Sequence, residues 1–132
     1  MRALTLIVCS RAKRPGVHPA GSLYVSARFR RQQREAQLYG EWRIVSAKHR
    51  LLRPTDSVRS YDQALEWLSA QGKSHWAGLV VSDLYQLMVE RSFNLVQIER
   101  KHRYTSTLLP VLLRLGFVRI GRRAEFSIWR RR

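Results

Sequence analysis

Apolar residues along this chain come in short runs that end abruptly in polar clusters. Residues 4–8 are almost continuously apolar and stop at Cys9-Ser10-Arg11-Ala12-Lys13, and residues 42–47 give way to Lys48-His49-Arg50 in the same manner. Runs of this length suit strands buried on both faces of a parallel sheet. A third run over 94–99 and a final stretch over 117–129 complete the set, the latter read as a strand or a short hairpin around Gly121-Arg122-Arg123. Between them the spacing turns helical. Ser26 predicts an N-cap for a helix to residue 39 that buries Phe29, Ala36 and Leu38, turns Arg28, Arg30, Arg31 and Arg34 outward and ends at Gly40. Ser60-Tyr61-Asp62-Gln63 reads as a capping box opening a helix with Tyr61, Leu65 and Leu68 on one stripe and Gly72 as terminator. Ser74 then caps a helix to residue 91, and Ser106 one with Leu108, Leu109, Leu112 and Leu115 inward and Pro110 near its first turn. The succession predicts an α/β domain of three layers, with a mostly parallel sheet of four or five strands joined by right-handed crossovers.

Length and composition sharpen this picture. At 132 residues with 45% hydrophobic residues, the chain forms one domain able to bury a core. No stretch approaches the roughly 20 apolar residues of a membrane helix, and the apolar run at the N-terminus is too short for a secretory leader. One cysteine, Cys9, excludes an internal disulfide and a cysteine-based zinc cluster and points to a reducing, cytoplasmic setting. The charge changes more. Twenty-five Lys and Arg against nine Asp and Glu leave a net +16, the electrostatic footprint of a protein that meets a polyanion, nucleic acid first of all. An arginine-favouring genome is the bland alternative.

Candidate chemistry sits at the strand ends, because in open α/β sheets ligands occupy the crevice at the carboxyl edge. Lys13 and Lys48 are read as phosphate or substrate ligands, since charged residues placed directly after buried strands need an anionic partner, and Ser10 and Ser46 as phosphate ligands or turn caps. Cys9 is a nucleophile if cations lower its pKa, or otherwise a small buried hydrophobe. His49 and Asp62 are the candidate proton carriers, against a turn histidine and a helix-end carboxylate. Glu99 is a further carboxylate, read as pairing with Arg100 or Lys101. Tyr24, Tyr61 and Tyr104 are platforms on which a base could stack, or else core aromatics. Arg28, Arg30, Arg31, Arg34 and Arg50 form the nucleic-acid face. His18, His49, His75 and His102 are dispersed without metal-ligand spacing, and no glycine-rich phosphate loop occurs, so neither a metal nor ATP or NAD is expected.

Four ordered motifs, Cys9-Ser10-x-x-Lys13, Leu23-Tyr24-x-Ser26-x-x-Phe29, Ile44-Val45-Ser46-Ala47-Lys48-His49-x-Leu51-Leu52 and Tyr61-Asp62-x-x-Leu65, resemble the YaaA-like family over about the first half of the chain. The resemblance implies an α/β domain, DNA binding and protection against oxidative damage, and a kinship with catalytic domains that work beside tRNA-guanine transglycosylase-type enzymes. Arg50 stands where that family usually has glycine, so the turn is either built differently or strained. Two functions compete: a pocket acting on a nucleobase or nucleotide, and a non-catalytic basic module for nucleic acid. A small accessory protein docking on another protein is the third.

Overall fold

The first apolar run forms β1 (Ala3–Val8), buried from Leu4 onward and placed at the centre of the sheet. A computed structural model describes residues 2–132. After β1 come β2 (Val17–Pro19), α1 (Ala20–Leu23), α2 (Ala27–Tyr39), β3 (Trp42–Ser46), β4 (Arg50–Leu52) and β5 (Ser57–Arg59). A 3-10 turn (Leu65–Trp67), α3 (Ala70–Arg91), β6 (Leu95–Glu99), α4 (Arg103–Arg114), β7 (Phe117–Arg123) and β8 (Phe126–Arg131) follow.

The α/β reading stands, but the sheet is larger and less parallel than expected. Its six strands run β4-β3-β1-β6-β8-β7. Only β1 with β3 and β1 with β6 pair in parallel; β4 on β3, β8 on β6 and β7 on β8 are antiparallel. Hairpins cause the difference. Chain reversal after Ser46 returns β4 along β3, and the last segment folds back at Ala124, not at Gly121, where the β7–β8 register instead shifts. A separate antiparallel ribbon joins β2 to β5.

From β1 the chain moves one way to β3 and from β3 the other way to β6, so right-handed crossovers place α2 on one face and α3 on the other. Accordingly α2 packs on β1, while α3 and α4 pack together, with α3 against β4 and α4 against β7. Ser26 caps α2 through its side chain, which accepts from Phe29 N, and Gly40 ends it at φ 115°. The inward stripe is Phe29, Gln32 and Ala36; Leu38 lies half a turn round the helix from Phe29 and is 83% exposed, contrary to expectation.

No α-helix opens at Ser60. Residues 60–64 form no regular element, and the groups in and after them bond elsewhere: the Tyr61 hydroxyl reaches Ser46 and Tyr24, and Leu65 N donates to the Tyr104 hydroxyl. Gly72 therefore falls inside the first turn of α3, where its N–H donates to Ser69, the actual cap, and Ser74 lies within the helix. Likewise His102, not Ser106, caps α4. This puts Pro110 in the helix interior, on its exposed side, where water can serve the Ser106 carbonyl that loses its partner. Among the described residues no helix is long and apolar enough to cross a membrane.

Candidate nucleotide and anion site

Parallel pairing of Val8 with Val45 and of Leu6 with Ile98 brings the ends of β1, β3 and β6 to one edge of the sheet. Cys9 N donates to the Val45 carbonyl, so the first two polar clusters leave the sheet side by side. Their side chains meet over Tyr61. Lys13 Nζ lies 4.3 Å and Lys48 Nζ 5.7 Å from the Tyr61 ring centroid, and the His49 ring meets it edge-on at 5.2 Å. Asp62 is exposed beside them, and its charge favours the ammonium of Lys13. Burial nevertheless holds the Lys13 pKa below its ordinary value, and burial together with Lys48 lowers that of His49.

Beneath this rim runs a chain of hydroxyls. Ser46 Oγ, fully buried, accepts from Lys48 N at 3.2 Å and His49 N at 3.0 Å, and lies 2.7 Å from the Tyr61 hydroxyl, which is 2.7 Å from that of Tyr24. A serine oxygen has two lone pairs, both used here by N–H groups, so Ser46 donates to Tyr61 and Tyr61 to Tyr24. Burial raises both phenols, that of Tyr24 to about 12. Ser46 thus fixes the β3–β4 turn, the turn-capping role among the two expected of it. The same turn holds Arg50 at φ 60°, a left-handed conformation that glycine adopts without cost; the arginine keeps the backbone and pairs with Asp83 at 3.4 Å.

An opening lies on the other side of β1. Because α2 leaves β1 on one face and α4 leaves β6 on the other, the crevice between these adjacent strands is the topological switch point of the sheet, where ligands of open α/β sheets sit. A cavity of about 300 Å³ occupies it, walled by residues 9–12 after β1, by Ser26 and Arg28 at the start of α2, and by residues 102–104 at the start of α4, with Gln63 and Glu66 closing one side. The N-termini of α2 and α4 and three arginines, Arg11, Arg28 and Arg103, face it; Arg28 is paired with Glu99 and Arg103 with Glu66, the latter at 2.6 Å, which leaves Arg11 without a carboxylate partner among the described residues.

Several expectations change here. Arg28 is not on the outer face: it turns inward, donates to Glu99 at 2.7 Å and to the carbonyls of Val8 and Cys9 at 3.0 and 2.7 Å, and so replaces Arg100 and Lys101 as the partner of Glu99. Arg31 pairs with Glu125, while Arg30 and Arg34 are exposed as expected. Cys9 and Ser10 line the cavity, but burial pushes the Cys9 thiol up, away from the thiolate form, and Ser10 Oγ donates to the Ala12 carbonyl. Arg11, Gln63, Glu66, His102 and Arg103 were missed. The signal was available at 99–104, where a third apolar run breaks into a charged cluster like the first two.

His102 has a defined state. Its Nδ1 accepts from Tyr104 N at 3.1 Å, so the ring proton sits on Nε2, and burial with the nearby Arg28 and Arg103 lowers its pKa to about 4. It is a neutral hydrogen-bond donor at the cavity wall. Among the described residues no group of three or more His, Cys, Asp or Glu is placed to hold a metal ion.

The sequence profile of a family of unknown function (DUF6884) matches residues 4–121, a span that holds all three strand ends and the starts of both helices around the cavity. Neither a curated protein nor a solved structure matches the chain.

Proposed function

The chain belongs to the DUF6884 family, and from the geometry of its sheet edge we propose that it binds nucleic acid or a nucleotide there. One observation carries this reading: the switch-point cavity is faced by two helix N-termini and by Arg11, which has no carboxylate partner among the described residues, next to a rim where Lys13 and Lys48 share the Tyr61 ring. Guanidinium groups pair bidentately with phosphate and the dipoles add to them. The net charge of +16 supplies the long-range attraction. The YaaA-like resemblance, whose motifs end β1 and β3, supports the same reading. A reducing, cytoplasmic setting suits both nucleic acid and the single buried Cys9.

The second reading is processing of a nucleobase or nucleotide at the adjoining rim, outside the cavity lining, with His49 or Asp62 moving the proton. His49 favours it, since its ring stands at the rim in a largely neutral form able to accept one. Binding of labelled mononucleotide and oligonucleotide to Lys13→Ala/Lys48→Ala, compared with Arg30→Ala/Arg31→Ala/Arg34→Ala, tests both readings. The lysine variant is expected to lose the mononucleotide, and the arginine variant to lose mainly salt-sensitive affinity for long chains. No binding of either ligand at low salt overturns the proposal; turnover of modified nucleosides that disappears in His49→Ala favours the second reading.

A further inference from the structure

Beside the switch-point cavity lies a second one of about 210 Å³, and the two share a partition made by Arg28 and His102. Its far wall carries Arg31, Arg100 and Lys101 against Glu99 and Glu125, so cations exceed carboxylates. The Nε of Arg100 is buried without a hydrogen-bond partner among the described residues. A buried donor left unmatched costs about 1–3 kcal/mol, a cost that an anion in the cavity relieves. Trp67 follows Glu66, a residue of the first cavity's wall. It is 56% exposed, whereas Trp42, Trp76 and Trp129 are all 7% exposed or less, and the Arg11 guanidinium lies over its ring at 5.4 Å.

Building on the nucleic-acid reading, we infer that the ligand is a single strand laid along the carboxyl edge, with one base on Trp67 and successive phosphates in the two cavities. An open indole backed by an arginine is the platform that unpaired bases use, because every base has a stacking face. The two concave sites admit phosphates from a strand that can bend between them. A duplex keeps its bases stacked inside and presents phosphates on a convex surface, which leaves Trp67 without a partner and the cavities unfilled.

The experiment measures anisotropy with thymidine monophosphate, the dinucleotide, a short oligothymidylate and a hairpin duplex of equal phosphate number, together with iodide quenching of tryptophan fluorescence. Affinity is expected to rise about tenfold or more from mononucleotide to dinucleotide, since the second phosphate binds as an intramolecular event. Oligothymidylate is expected to outbind the duplex and to shield Trp67 from iodide. Trp67→Ala, with folding checked by thermal unfolding, is expected to lower oligothymidylate affinity about tenfold. Lys101→Ala/Arg100→Gln is expected to erase the gain from mononucleotide to dinucleotide while leaving mononucleotide affinity unchanged. Lys101→Ala alone, at an exposed position, gives a smaller loss of the same kind should the double variant fail to fold. A mononucleotide that binds with no gain on lengthening, a preference for the duplex, or unchanged affinity in Trp67→Ala overturns the single-strand inference while leaving the general reading in place. Absence of binding to every probe overturns both.

Discussion

Arg28 on α2 closes on Glu99 at the end of β6 while its second amino group holds the carbonyls of Val8 and Cys9, so a single guanidinium ties the two central strands together across the crevice they frame. Glu99 is almost fully buried. Removing Arg28 strands that carboxylate, and the cost of breaking a buried pair from one side is about 3–5 kcal/mol. Arg28→Ala is therefore expected to lose about 3 kcal/mol in chemical denaturation, whereas Arg28→Ala/Glu99→Gln recovers part of the loss. Equal stability of the single variant and the parent would show that the clamp is idle.

Ser46→Ala removes a buried acceptor of two N–H groups and the donor to Tyr61. A loss of about 2–3 kcal/mol is expected, set by the groups left unpaired. Tyr61→Phe leaves the turn bonds intact and is expected to cost about 1 kcal/mol. Urea denaturation ranks the two; the reverse order would place the turn's stability in the phenol instead of the serine.

Arg50 keeps a left-handed backbone that favours glycine. Arg50→Gly relieves this at the price of its pairing with Asp83, a surface pair worth a few tenths of a kcal/mol. A net gain of about 0.5–1 kcal/mol is expected. Thermal unfolding with Arg50→Ala as control decides it: alanine, which keeps the strain and loses the pair, is expected to fall below the parent.

His102 links the cap of α4 to pH. Its folded pKa of about 4 lies below the ordinary value of 6.5, so the unfolded chain binds the extra proton between these limits. Stability from this group is complete above about pH 6.5 and is lost as pH falls toward 4. His102→Asn, which caps without titrating, is expected to match the parent at neutral pH and to show a flatter stability profile across that window. Parallel profiles for the two proteins would remove His102 as the source.

Strand ends were legible in the sequence because a buried parallel strand must be apolar throughout and its end must be polar. Hence β1, β3 and β6 emerged nearly to the residue, and the Cys9–Lys13 and Lys48–His49 clusters with them. The cap of α2 was legible for a similar reason, since Ser26 acts on its own neighbours. Residues 60–72 were not, because the local capping signal at Ser60 competes with bonds from Tyr61 to Ser46 and Tyr24 and from Leu65 to Tyr104 that only the tertiary fold supplies. The inward turn of Arg28 was hidden for the same cause: helical spacing shows which face it lies on, and not that Glu99 waits beneath. The switch-point cavity needed the strand order, which puts β6 beside β1 across 86 residues of chain between Val8 and Leu95.

The outermost strand β7 carries Arg119, Arg122 and Arg123, all exposed. An open sheet edge presents unpaired N–H and C=O groups that the edge of another copy can meet. Two such edges brought together set guanidinium against guanidinium, so these arginines keep the open edge of one copy from pairing with that of another.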